Sequence, residues 1–283
     1  MENVLMQLLE AILHMENKWN TVHYIKSCFG QAFSLKLVML IVAVAFCICL
    51  DTWNQIPYLW SGQASIDVYY YLFNSITYGG TYMPYLMPVL AATVYAVSYS
   101  KESSCGIRDY VIGRLGYGRY AFSKAFVSIV CGGITAALGV LFFCVYANYF
   151  QPIYIYEEGV NVLYYTQPST ENGIWYIVIL IYLTMLSGML WSMVALLVSA
   201  YFENIYVTIA SPLLISYMLA RVYVLLGIDG KYRLDYWLSG RAGIGTDEES
   251  LCVITIFTIG LIVFLAILFY RKMKMQMAGG KYE

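Results

Sequence analysis

The chain has 283 residues, 61% of them hydrophobic and 12% charged, and a net charge of −1. Soluble domains carry roughly 25% charged residues, whereas uncharged runs of about 20 residues, the length of a membrane span, recur here and leave no room for a large soluble domain. Seven scattered cysteines without a CxxC pair, and only two histidines, His14 and His23, argue against a disulfide framework or a zinc site.

Val4, Leu5, Leu8, Leu9, Ile12 and Leu13 recur at helical spacing and predict an amphipathic helix. Asn20 to Ser34 mixes aromatic, small and basic residues, as an interfacial helix leading into a membrane would. Residues 1–33 contain Glu10, Glu16, Lys18 and Lys26. They do not resemble a short basic signal region, so the first span is expected to be a retained anchor.

That span is expected over Ser34 to Trp53, with Lys36 snorkelling to the near surface. Tyr69 to Thr77 reads as a short helix set apart by Gly79-Gly80 and Pro84. Further spans are expected over Met83–Ser100, Phe122–Ala147, Ile174–Val198, Ile205–Leu226 and Ser250–Tyr270. The fourth and fifth meet at a tight turn, Phe202-Glu203-Asn204. The connections 147–173 and 227–249 fall on the opposite face, the first of them rich in tyrosine. The fold class is therefore all-α, a polytopic membrane protein with six spans and short interfacial helices. Residues 1–33 form an interfacial part, 34–270 the transmembrane domain and 271–283 a basic tail.

Charge placement orients the spans. Of the 16 Lys and Arg residues, 12 fall in the N-terminal part, the segment 101–124 and the tail, and 4 on the other face. Both termini are thus expected in the cytoplasm, in a multi-pass protein of the plasma (cytoplasmic) membrane.

Between spans two and three lies a charged island, Lys101 to Lys124. Val68 to Ser100 before it and Ala125 to Tyr156 after it carry no charge. Its expected form is a short helix across the cytoplasmic face, with a turn at Gly113, Gly116 and Gly118. A helix held at both ends by spans is suited to transmit force from a soluble partner; a plain positive-inside loop meeting lipid headgroups is the alternative.

Arg221 lies inside span five, where a cation costs ~2.5–3.5 kcal/mol on insertion scales. It either snorkels outward or serves as an ion-pair or substrate-path residue, with Asp229 as the local acid. Small residues four apart, Gly132, Gly133, Ala136 and Ala137 in span three and Gly188 and Ser192 in span four, let helix backbones approach closely, at a dimer seam or within one chain. No HExxH and no nucleophilic triad is evident, and no P-loop of the form GxxxxGK[ST] is present.

Glu102, Gly106, Arg114, Gly116, Tyr120, Ser123 and Lys124, in that order, resemble the permease subunits of type-2 ATP-binding cassette exporters. Ser199 to Pro212, with its tight turn at Asn204 and a proline inside the next span, is similar to the same family. The resemblance implies that the island is a coupling helix whose contact residues include Glu102, Gly106, Asp109, Arg114, Tyr120 and Lys124. It further implies a separate ATPase subunit holding ATP and Mg, a second permease subunit, identical or not, and export. No catalytic residue, cofactor or nucleic acid is expected in this chain. Two other functions fit the spans: a membrane immunity or sensor protein that binds a peptide, and an enzyme acting on lipid.

Overall fold

A computed structural model describes residues 21–61, 67–77, 80–154 and 173–279. The amphipathic helix expected at residues 4–13 and most of the tyrosine-rich connection lie outside them. Among the described residues the chain is helical, with no strand.

In chain order, α1 is Thr21–Ala32 and α2 is Leu35–Asp51; the short α3, Ile56–Ser61, and α4, Val68–Leu72, follow. Next come α5 (Tyr82–Thr93), α6 (Val97–Ser104), α7 (Ile107–Leu115) and α8 (Tyr117–Asn148). The last four are α9 (Gly173–Tyr201), α10 (Ile205–Leu225), α11 (Leu234–Leu238) and α12 (Asp247–Gly279).

Four helices, α8, α9, α10 and α12, are long and apolar enough to cross a membrane, and α1 with α2 makes a fifth if that pair, bent by 57°, is one span. The protein is thus built for a membrane. The expected second span is not one helix: α5 and α6 are separated by a turn at Val94–Ala96. The first is shorter than expected, because α2 ends at Asp51 and the chain turns through a 3-10 segment, Trp53–Gln55. Of the basic residues assigned to the tail, Arg271, Lys272 and Lys274 continue α12. At 33 residues and 1.5 Å per residue, α12 extends well beyond a hydrocarbon core of about 30 Å.

The centre of the bundle is the pair α8 and α9, which make the most extensive interhelical contact. Glycine sets their separation. A Cβ on Gly188 would lie 2.6 Å from the Gly132 carbonyl oxygen and 2.7 Å from Ala136 Cβ. Ser128 and Ser192 hydroxyls meet across the same seam at 2.8 Å. The small residues therefore serve packing within one chain. α10 and α12 are the least buried spans and present long apolar faces outward.

The broken span has a partner that fits both of its ends. Asp51, closing α2, accepts the N–H groups of Thr81 at 2.6 Å, Tyr82 at 2.8 Å and Met83 at 2.9 Å, at the start of α5. Lys36, near the beginning of α2, donates to the Thr93 carbonyl at the end of α5, which in a continuous helix would take the Val97 N–H. An anion thus sits at the positive end of the α5 dipole and a cation at its negative end. Lys36 points to the break in the neighbouring span; its near surface was the sequence expectation.

Candidate functional site

The island folds as the end of α6, a turn, the nine-residue helix α7 and the start of α8. Glycine sets both corners: Gly106 has φ 71° and Gly116 φ 82°, where another residue costs about 1–2 kcal/mol. Gly113 and Gly118, read from sequence as part of one turn, lie within helices. Val111, Ile112 and Leu115 of α7 are buried, while Ile107, Asp109, Tyr110 and Arg114 are exposed. Arg114 lies over the Tyr110 ring, 4.3 Å from its centre.

Between α6 and α8 lies a buried cation. Lys124, near the start of α8, is 0% exposed. Its ammonium donates to Glu102 Oε1 at 2.6 Å, Tyr95 Oη at 3.0 Å and Ser98 Oγ at 3.1 Å, which accounts for all three of its protons. The other oxygen of Glu102 accepts the Tyr120 hydroxyl at 2.7 Å. This node joins the break, α6 and α8, and the Tyr24 ring of α1 lies 6.0 Å from the ammonium. Removing one partner of a buried pair leaves an uncompensated charge, at a cost of about 3–5 kcal/mol.

A second node is centred on Arg108. Its guanidinium bonds Asp109 at 2.9 Å through Nε, and Ser103 at 2.7 Å and Glu203 at 2.8 Å through Nη1. Ser103 also donates to Glu203 at 2.6 Å. Glu203 belongs to the α9–α10 turn, where Asn204 caps α10 by accepting the Tyr206 N–H at 2.8 Å. Tyr99 carries the network on to α12, through Met273 Sδ at 3.0 Å and Gln276 Oε1 at 3.2 Å, and Gln276 donates back to the Ala200 carbonyl at 3.0 Å. The Ser103 bond, aided by Arg108 and opposed by burial, holds the Glu203 carboxyl below the usual carboxylate range. Burial works against the Arg108 charge, but its bonds to Asp109 and Tyr99 more than offset this and raise its pKa.

Of the residues singled out from sequence, Glu102, Tyr120 and Lys124 meet one another, turned into the protein. Gly106 forms a corner, and Asp109 and Arg114 lie on the exposed face of α7. Arg221 stands apart at the other end of α10, exposed, with its Nε 3.1 Å from the Tyr217 hydroxyl. Asp229, considered as its partner, instead pairs with Lys231 at 3.8 Å. Sequence reasoning passed over Arg108, Glu203 and Asp51. A lone acid closing an apolar run was the available signal for Asp51; the other two are recognisable only once α6, α7 and the 202–204 turn are side by side. Among the described residues no group of three His, Cys, Asp or Glu side chains could hold a metal ion. No protein-family model matches the chain, and no curated protein matches it.

Proposed function

We propose that the chain is the membrane subunit of an ATP-driven exporter of the type-2 ATP-binding cassette kind, in a bacterial plasma membrane. It works with a second membrane subunit and with a separate ATPase chain that holds ATP and Mg. The observation that carries this reading is α7. It is a short helix with an exposed face of Ile107, Asp109, Tyr110 and Arg114, cornered by two glycines, tied to the α9–α10 turn through Arg108, and flanked by α6 and α8, which the Glu102–Lys124 pair joins. Such a helix offers a soluble partner a contact face. Force applied there passes through Arg108–Glu203 to the α9–α10 turn and, through Tyr99, to α12, while Glu102–Lys124 locks the flanking α6 to α8.

Six crossings with both ends on the island face are supported by which ends meet. Tyr24 of α1 lies near Lys124, Glu203 near Arg108, and Gln276 near Tyr99 and Ala200. Counting α2, the broken α5–α6, α8, α9, α10 and α12 gives an even number of passes between these points. The positive-inside tendency supports a cytoplasmic position for that face, and the direction of transport follows from the family resemblance alone.

The test is copurification from the native host in mild detergent. An ATPase chain is expected to accompany the wild type and to be lost with Arg114→Glu or Tyr110→Ala at unchanged expression. Glu102 is unsuited to this test, because its substitution disrupts the Lys124 node. A wild type that brings down no P-loop ATPase, or variants that retain it fully, would overturn the reading.

A further inference from the structure

Arg221 lies on the outward face of α10, about 6 Å short of the helix end at Leu225 by the rise of 1.5 Å per residue. Leu214, Met218 and Leu225, at helical spacing from it, are exposed on the same face, so the stripe around this cation is apolar. No ion pair holds it among the described residues.

The guanidinium is held to the preceding turn. A helical Cα–Cβ bond tilts toward the helix N-terminus, and α10 begins at the 202–204 turn on the island side, so the Arg221 side chain starts away from the near surface. Its Nε–H donates to Tyr217 Oη at 3.1 Å, with the guanidinium carbon 5.1 Å from the centre of the Tyr217 ring. Tyr85 of α5 braces that ring, the two centres 5.9 Å apart. Arginine has five N–H groups. One goes to Tyr217, and the four on Nη1 and Nη2 have no partner among the described residues. Tyr217 accepts that bond and keeps its own proton. A cation with unspent donors on an apolar face costs free energy until an anion completes it.

We propose that Arg221 and Tyr217 bind the phosphate of an anionic phospholipid in the leaflet opposite the island. A planar guanidinium takes phosphate oxygens two at a time, and the apolar stripe gives the lipid chains a surface to lie on. A second copy of the chain is the poorer occupant. It would have to bring a free carboxylate into the apolar layer, and Asp51, the acid that closes a span at this end, is already filled by Ser75, Thr81, Tyr82 and Met83. The site rests on the membrane character of α10 and does not depend on α7 or on a docked ATPase.

The purified full-length chain, freed of lipid in a nonionic detergent, provides the test, read by native mass spectrometry. The probes are dioctanoylphosphatidylglycerol, dioctanoylglycerol as the same chains without phosphate, and glycerol 3-phosphate as the phosphate without chains. The first copy of the phospholipid is expected to bind with a midpoint concentration at least tenfold below either control. Arg221→Gln is expected to raise that midpoint at least tenfold, as loss of hydrogen bonds to a charged group does. Lys274→Gln, exposed at the island end of α12, is expected to leave it unchanged. If Arg221→Gln does not fold, Tyr217→Phe, which removes the hydroxyl alone, is expected to raise the midpoint at least threefold. Equal midpoints for the phospholipid and either control, undiminished binding by a folded variant, or an equal loss in Lys274→Gln would overturn the proposal.

Discussion

Lys124 is a cation without water around it, and the surrounding residues compensate. Three acceptors occupy its three protons, one of them charged. Lys124→Met alone leaves Glu102 facing the interior, and a loss of about 3–5 kcal/mol is expected. Lys124→Met with Glu102→Leu removes both charges and is expected to recover most of that loss, as thermal melts of the two proteins in detergent would reveal. Failure of the double variant to exceed the single would mean that the pair is more than a balanced charge.

Glu203 is the contrasting case, half exposed and screened. Its carboxyl is held below the usual range in the folded state, so its contribution is fully present above the unfolded value. It is lost as pH falls through the folded one. Acidification below the ordinary carboxylate range is therefore expected to free α7 from the 202–204 turn. Hydrogen exchange at residues 105–110 would rise there first, and Glu203→Gln would show the faster exchange already at neutral pH. Indifference of this segment to both changes would contradict the role given to Arg108. The motif residues Glu102 and Lys124 were visible in the sequence, but their inward direction was not. It depends on α6 and α8 lying side by side, which one-dimensional spacing does not encode.

At the scale of elements, α5 is a half-span whose ends are satisfied by another helix. Asp51 holds its N-terminus and Lys36 its C-terminus, so α2 and α5 behave as one body and the turn at Val94–Ala96 is the joint to α6. Asp51→Ala is expected to cost about 1.5–3 kcal/mol, the range for hydrogen bonds to a charged group. Gly80→Ala would act on the same contact, because its Cβ would fall 2.3 Å from both Asp51 Oδ2 and the Ser75 carbonyl oxygen. Both should lower the melting temperature, and Gly80→Ala should cost less in a background already lacking Asp51, where only the Ser75 carbonyl clash remains. The break itself was hidden from sequence reasoning, since Met83 to Ser100 is uniformly apolar and Pro88 lies a turn and a half before it. Close packing at α8 and α9 was legible from small residues four apart, but that spacing does not say whether the partner helix lies in the same chain. Gly188→Leu is expected to separate this pair at about 1–3 kcal/mol or more, the usual cost of overpacking. Folded yield would report it.

For the molecule as a whole, the membrane character was plain in the sequence, while the orientation rests on charge asymmetry alone. Span continuity was the weaker inference, since hydropathy does not distinguish a straight helix from two short ones held by charged neighbours. In the proposed reading, α7 is the element through which an external motor would act. Its position between Gly106 and Gly116 allows it to tilt without unfolding α6 or α8.

A photo-crosslinking amino acid placed at Tyr110 in living cells, with one at the exposed Tyr149 at the opposite end of α8 as the control, measures this most directly. The account predicts a covalent adduct between position 110 and a P-loop ATPase chain, and none from position 149. Absence of any ATPase adduct at 110, or equal adducts from both positions, would contradict it.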